Sequence, residues 1–301
     1  MESVSETPAM AWDSADFRAG YDREPFGFGH NFAELDLFRP DRLAALAERY
    51  AKSDQDYFVA RSAPSADTEF YAVPTVFRAP HLVLAELDAV PSRILLKRPE
   101  KFDPAFRALL DGLFQQVLHA RPRLADETIM RLESAIFISS AAATTPFHFD
   151  PETAFFCQIE GEKTYHVFPP DTVSEVELER FYKRAIVNIG QIDLASRPAE
   201  REFVFALRAG RGLHQPQNAP HWVETGTSRS ISYSFVFETA ASRSRAGARS
   251  FNHYLRKLGL DPSPPGRHPA ADAVKAEAMR LVIPARKSVT RSMRGLLGRA
   301  R

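Results

Sequence analysis

The chain has a single cysteine, Cys157, among 301 residues. It can therefore form neither an intrachain disulfide nor a cysteine-rich zinc site. No stretch approaches the roughly 18 apolar residues of a membrane span, so no spanning helix is expected. The opening MESVSETPAM has neither a basic region nor an apolar run; no secretory signal is expected, and a cytoplasmic protein is. A dominant charge is missing too. Lys and Arg number 39 against 38 Asp and Glu, for a net +1, which leaves no global field to draw nucleic acid and no expectation of sequence readout. Internal repeats and low-complexity tracts are also absent. What remains is 44% hydrophobic and 26% charged, a globular composition rather than a disordered or fibrous one. A chain of this length buries roughly three-quarters of its unfolded surface and folds without staples.

The charge balance conceals an asymmetry. From Asp261 onward there are nine basic and three acidic residues, an excess of +6, so residues 1–260 carry −5. Arg286, Lys287, Arg291, Arg294, Arg299 and Arg301 interleave with Val289, Met293, Leu296 and Leu297. This basic tail reads either as an arm for an acidic partner or an anionic surface, or as a solvated terminus.

The first third reads as helical with loops. Leu43, Leu46 and Ala47 have helical spacing within 42–52. Asp103 can cap a helix with Pro104 at its first position, and Phe106, Leu109, Leu110, Leu113, Phe114 and Val117 form one stripe to about Ala120. After Arg123 the period shifts towards two. Short strands are predicted around 135–138, 155–159, 163–168 and 202–208, and where Ile231, Tyr233, Phe235 and Phe237 alternate with serines. Separated by Gly, Pro and Asn turns, they predict a mainly β sandwich or barrel with flanking helices. The stretch 261–266 reads as a linker, followed by a helix over 270–283 that Pro284 breaks. The expected organisation is a flexible 1–24, a helical 25–125 packing on a barrel of 126–240, and a helical, basic 241–301.

The residues with chemistry begin at Thr145-Pro146-Phe147-His148-Phe149-Asp150. On an extended chain His148 and Asp150 point to one side, and His221, ahead of the last clean strand, offers a third donor. Two imidazoles and a carboxylate on one face suit an octahedral ion with open positions, as in non-haem Fe(II) oxygenases. The spacing alone is weak: nine His and 17 Asp yield about half a His-x-Asp per chain by chance. It equally fits a strand end followed by an Asp-Pro turn.

The surrounding residues say more. Thr145 to Glu152, then Phe155-Phe156-Cys157-Gln158-Ile159-Glu160-Gly161-Glu162-Lys163, Phe168-Pro169-Pro170 and Pro220-His221-Trp222-Val223 closely resemble the motifs of JmjC-type oxygenases. The similarity is strongest to the cupin-like branch that includes the asparaginyl hydroxylase of hypoxia-inducible factor. It covers about residues 130–240. The resemblance implies a double-stranded β-helix (cupin, jelly-roll) holding Fe(II) through His148, Asp150 and His221, with 2-oxoglutarate as cosubstrate. It further implies that Thr145 and Lys163 bind the distal carboxylate of 2-oxoglutarate, a role in which a hydroxyl adds a donor to a compact charge. One position departs. The Asn frequent before Phe-Phe in the family is Ala154 here, which removes an amide near the metal and calls for another donor such as Ser234.

Other residues are given structural roles. His166 is expected to face away from the pocket, and His214 to lie in a loop. Trp222 and Phe149 are read as core, Cys157 as buried filler and Glu152 as an exposed turn acid. The resemblance implies a 2-oxoglutarate-dependent hydroxylase acting on a protein side chain or small molecule. The alternatives are a non-catalytic metal-binding cupin-like regulator, motivated by Ala154 and the tail, and a metal hydrolase or isomerase on the same barrel. A homodimer is left open.

Overall fold

A computed structural model describes residues 7–53, 55–183 and 189–281. The basic tail beyond 281, with Pro284, lies outside these. The chain divides into two compact units, residues 1–172 with 189–237, and residues 173–188 with 238–301.

The first unit carries the strands. Strands β1 (Met10–Ala11), β2 (Phe26–His30), β3 (Tyr57–Arg61), β4 (Ser92–Lys97), β5 (Ile129–Ser139), β7 (Thr153–Glu160), β10 (Arg211–Gln215) and β12 (Ser230–Thr239) form one sheet in the order β1-β2-β10-β7-β12-β5-β4-β3. Strands β6 (Thr144–Phe149), β8 (Glu162–Val167), β9 (Phe203–Arg208) and β11 (Pro220–Thr225) form the other, in the order β6-β11-β8-β9. Together they make the expected double-stranded β-helix.

The alternation in β12 explains how the barrel is clad. Ile231, Tyr233, Phe235 and Phe237 lie in a large core with Ile94, Leu96, Ile136, Ile138, Phe155 and Cys157. Helix α2 (Pro40–Arg49) adds Leu43, Leu46 and Ala47 to that core, α3 (Pro80–Ala85) adds Val83, and α4 (Pro104–Ala120) adds its whole predicted stripe. The apolar face of the large sheet thus points outward under the helices. The serines point inward, where Ser230 and Ser232 bond Gln158 beside a second apolar cluster of Phe156, Tyr165, Val167 and Leu213. Asp103 accepts from the Ala105 N–H at 3.0 Å, so α4 starts where its cap and proline place it. Cys157 is fully buried, and burial pushes its thiol well above the ordinary range.

Three expectations need correction. The stretch 1–24, expected to be flexible, contains β1 and the helix α1 (Ser14–Gly20), capped by Asp13 and burying Phe17. Residues 25–125 are not simply helical: β2, β3 and β4 lie there, and β3 and β4 extend the large sheet. Ser92-Arg93-Ile94-Leu95-Leu96-Lys97 is too short for periodicity to separate strand from helix; pairing with β5 decides it. Finally, α5 (Glu175–Tyr182) joins the C-terminal unit, which also holds α6 (Ala240–Lys257) and the helical residues 269–281. Glu175 and Glu179 of α5 pair with Arg249 and Arg256 of α6 at 2.8 and 2.7 Å, a link between distant segments that no local pattern announces.

Candidate metal centre

His148 lies on β6 and His221 on β11, and the two are direct partners in the antiparallel pairing. Both side chains therefore stand on the same face. Their rings approach to 4.2 Å between centroids. Asp150 follows β6, and its Oδ2 lies 3.9 Å from His148 Nε2 and 3.7 Å from His221 Nε2. Two donors bound at right angles to one ion by bonds of about 2.1 Å lie roughly 3.0 Å apart, so an ion would need to draw these atoms together by about 1 Å or less. The turn that carries Asp150 is tied to the start of β11. The Asn218 N–H donates to the Asp150 carbonyl at 2.9 Å, and Gln217 Nε2 donates to the Pro151 carbonyl at 2.8 Å. Asn218 adopts a left-handed φ of 64°, a conformation asparagine tolerates better than most residues.

Hydrogen bonds orient both imidazoles. His148 Nδ1 donates to the Pro146 carbonyl at 2.6 Å and His221 Nδ1 to the Ala219 carbonyl at 3.1 Å. Each Nε2 is left as a lone pair aimed at Asp150, the tautomer a metal ligand needs. Burial lowers the His148 pKa to about 4, with the charge of Arg93 adding to the effect and the Pro146 carbonyl opposing it. Burial and the neighbouring His148 lower His221 to about 3 against Asp150 and the Ala219 carbonyl. Both rings are thus neutral at physiological pH. The Asp150 carboxyl is pushed up by burial, against His221 and Arg131. A partly buried carboxylate between two neutral imidazoles lacks the positive charge that a divalent cation supplies. The donor set fits such an ion, and among the described residues these three form the single group of this kind.

Aromatic rings enclose the group. Tyr165 stacks on His221 at 5.3 Å, and its hydroxyl donates to Gln215 Oε1 at 2.5 Å. Phe70 packs on His148 at 4.8 Å. The Phe70 N–H donates to Gln191 Oε1 at 2.8 Å, and Gly190 exchanges backbone hydrogen bonds with Phe149 at 3.0 and 2.8 Å. Segments far apart in sequence thus form the rim.

Deeper in the barrel, Lys163 on β8 is 6% exposed, its Nζ 5.3 Å from the Phe156 ring centre and 5.8 Å from that of Phe137. Thr145 is opposite Val223 and Lys163 opposite Thr225 on the two sides of β11. Ser234 is buried beside this compartment, paired with Phe156 in the β7–β12 register. Ala154 lies on the same inward face, opposite Val236, and brings only a methyl group.

Sequence reasoning missed Arg93, whose Nη1 donates to Thr145 Oγ1 at 2.9 Å. The signal available was an arginine directly before the apolar Ile94-Leu95-Leu96 of β4. Two other expectations are corrected. Glu152 is buried, not exposed, because Arg131 Nη2 reaches its Oε1 at 2.5 Å. His214 is on β10 rather than in a loop, fully buried and stacked on Tyr21 at 5.2 Å. His166 does face outward, against Glu202 at 3.0 Å and stacked on Trp222 at 3.8 Å. That contact puts Trp222 on the outer face, whereas Phe149 is buried.

With the geometry in place, comparison with known proteins defines the class. Residues 47–242, more than half of the chain, match the model of the cupin-like domain family, and the chain belongs to that family. The fold is that of YcfD from Escherichia coli, described as a ribosomal oxygenase. One YcfD structure matches with a TM-score of 0.53 at 19% identity, covering 92% of this chain and 68% of that one. Another, in complex with cobalt and 2-oxoglutarate, matches with a TM-score of 0.52 at 20% identity and the same coverage. Among curated relatives, the HSPB1-associated protein 1 homolog of Danio rerio is 31% identical over 105 residues, 31% of this chain and 23% of that protein. The chain thus matches less than a quarter of that relative's length. No helix among the described residues is long and apolar enough to cross a membrane.

Proposed function

We propose that this protein is an Fe(II)- and 2-oxoglutarate-dependent oxygenase that hydroxylates a C–H bond of a protein side chain or small molecule. The observation that carries this reading is the convergence of His148, Asp150 and His221 on one point, with Lys163 and Thr145 deeper in the same barrel. His148 Nε2, His221 Nε2 and Asp150 Oδ2 would hold the iron, a facial set that leaves positions open for other ligands. Lys163 and Thr145 would take the distal carboxylate of 2-oxoglutarate, one with charge and the other with a hydroxyl. Bound there, iron supplies the activation of O2 that couples decarboxylation of 2-oxoglutarate to succinate with oxidation of the substrate. The chain's own part is to fix both groups, hold the imidazoles neutral and exclude water with Phe137, Phe156, Tyr165 and Phe70. The description of YcfD as a ribosomal oxygenase, solved with cobalt and 2-oxoglutarate, supports this reading and favours a protein substrate.

Ala154 favours a second reading, a metal-binding cupin that oxidises nothing. Anaerobic titration with Fe(II) and 2-oxoglutarate separates the two. The oxygenase gives a charge-transfer absorbance band that His148→Ala abolishes. Iron bound with no band and no succinate formed in air rejects the oxygenase in favour of the binding protein.

A further inference from the structure

Two basic side chains, Arg93 and Lys163, face the barrel interior near Thr145, and among the described residues neither has an ion-pair partner. Arg93 is on β4 opposite Ser139 of β5. Its neighbours Ile94 and Leu96 join the outer core, so the guanidinium is on the inward face with Leu95. Arg93 Nη1 donates to Thr145 Oγ1 at 2.9 Å and Nε to the Arg61 carbonyl at 3.5 Å. Among the described residues Nη2 has no partner. Because Thr145 accepts from Arg93, its own hydroxyl proton stays available to a ligand.

Lys163 senses this arrangement. Its pKa is pushed down to about 7, first by burial and then by the charge of Arg93. Burial likewise lowers Arg93 to about 10. No carboxylate raises either value. A fold that withdraws two like charges from water without an anion loses stability. Such a cost is the usual mark of a binding site.

We propose that Arg93 is a second anchor for the distal carboxylate of the cosubstrate, acting with Lys163 and Thr145, and that this pair of cations makes the site select a 2-oxo acid ending in a second carboxylate. The assignment rests on the oxygenase reading. A carboxylate has two oxygens with about four acceptor positions, enough for the open edge of the guanidinium, the ammonium and the hydroxyl together. A 2-oxo acid of similar length that ends in a methyl group would leave both cations unpaired.

The test is calorimetric binding of 2-oxoglutarate and of 2-oxohexanoate to the Co(II)-loaded protein, comparing wild type, Arg93→Met and Arg93→Lys. The wild type is expected to prefer 2-oxoglutarate by about a hundredfold or more. Arg93→Met is expected to weaken 2-oxoglutarate by at least about tenfold, leave 2-oxohexanoate and Co(II) binding unchanged, and melt no lower than wild type without ligand. A purely structural arginine would lower the melting temperature and leave the preference between the two acids intact. Arg93→Lys retains the charge and recovers part of the loss. If Arg93→Met does not fold, Arg93→Lys decides: selective weakening of 2-oxoglutarate supports the assignment, and unchanged affinity overturns it. Wild-type binding that Arg93→Met retains overturns the assignment alone. Absence of 2-oxoglutarate binding to the Co(II)-loaded wild type overturns the oxygenase reading and the assignment with it.

Discussion

His148 and His221 sit directly opposite each other on neighbouring antiparallel strands, and each is turned by a backbone carbonyl so that its free nitrogen faces Asp150 Oδ2. Strand register supplies the position and a local hydrogen bond supplies the direction. The three donor atoms are therefore brought together by the fold itself.

Lys163 should make stability depend on pH. In the fold its pKa falls to about 7 from 10.5, so above about pH 7 the unfolded chain binds the extra proton. The penalty is full below pH 7 and fades as pH rises towards 10.5, so the lysine's contribution to stability increases with pH across that window, by at most about 1.4 kcal/mol per pH unit. Denaturant unfolding of wild type and Lys163→Met should show the variant more stable at pH 6.5 and the gap narrowing by pH 9. A gap that stays constant would show that Lys163 does not titrate in this window. The groups facing it are Arg93, Phe137 and Phe156.

Gly161 turns β7 into β8 with φ at 70°, and a side chain there would run into the Arg229 carbonyl. Gly161→Ala is expected to cost about 2 kcal/mol or more, from left-handed strain plus the clash. Thermal unfolding checks this; an unchanged midpoint would mean the turn can relax away from Arg229.

Arg131 bridges Glu152 at 2.5 Å and Glu133 at 3.1 Å. Arg131→Met removes the guanidinium beside a buried carboxylate, and a loss of about 1–3 kcal/mol is expected for a pair that is partly solvated. Adding Glu152→Gln should restore part of it. Additive losses in this double-mutant cycle would show that the two side chains are not coupled.

Much of this was legible in the sequence. The cap and stripe of α4 specify that helix residue by residue, because local propensity and the core agree there. Strands β5, β7, β8, β9 and β12 are visible as short apolar or alternating runs, whereas β10 around His214 reads as a loop until it pairs with β2 and β7; the spaced motifs around Thr145, His148, Asp150, Lys163 and His221 point to one site. Arg93 was hidden because its role depends on β4 pairing with β5, and a six-residue segment with three apolar residues is too short to show a period of its own. Glu152 was misread for a similar reason: Asp150-Pro151-Glu152 reads as an exposed turn until Arg131 arrives from another strand. The union of α5 with α6 rests on ion pairs between distant segments, which a single sequence does not display.

The measurement that bears most directly on the centre is calorimetric titration of the metal-free protein with Co(II), for wild type, His148→Ala, Asp150→Asn and His221→Ala. One equivalent should bind to the wild type, with affinity falling by more than about a hundredfold in each variant while the fold is retained. Equal binding by all four proteins, or none by the wild type, would contradict the proposed centre.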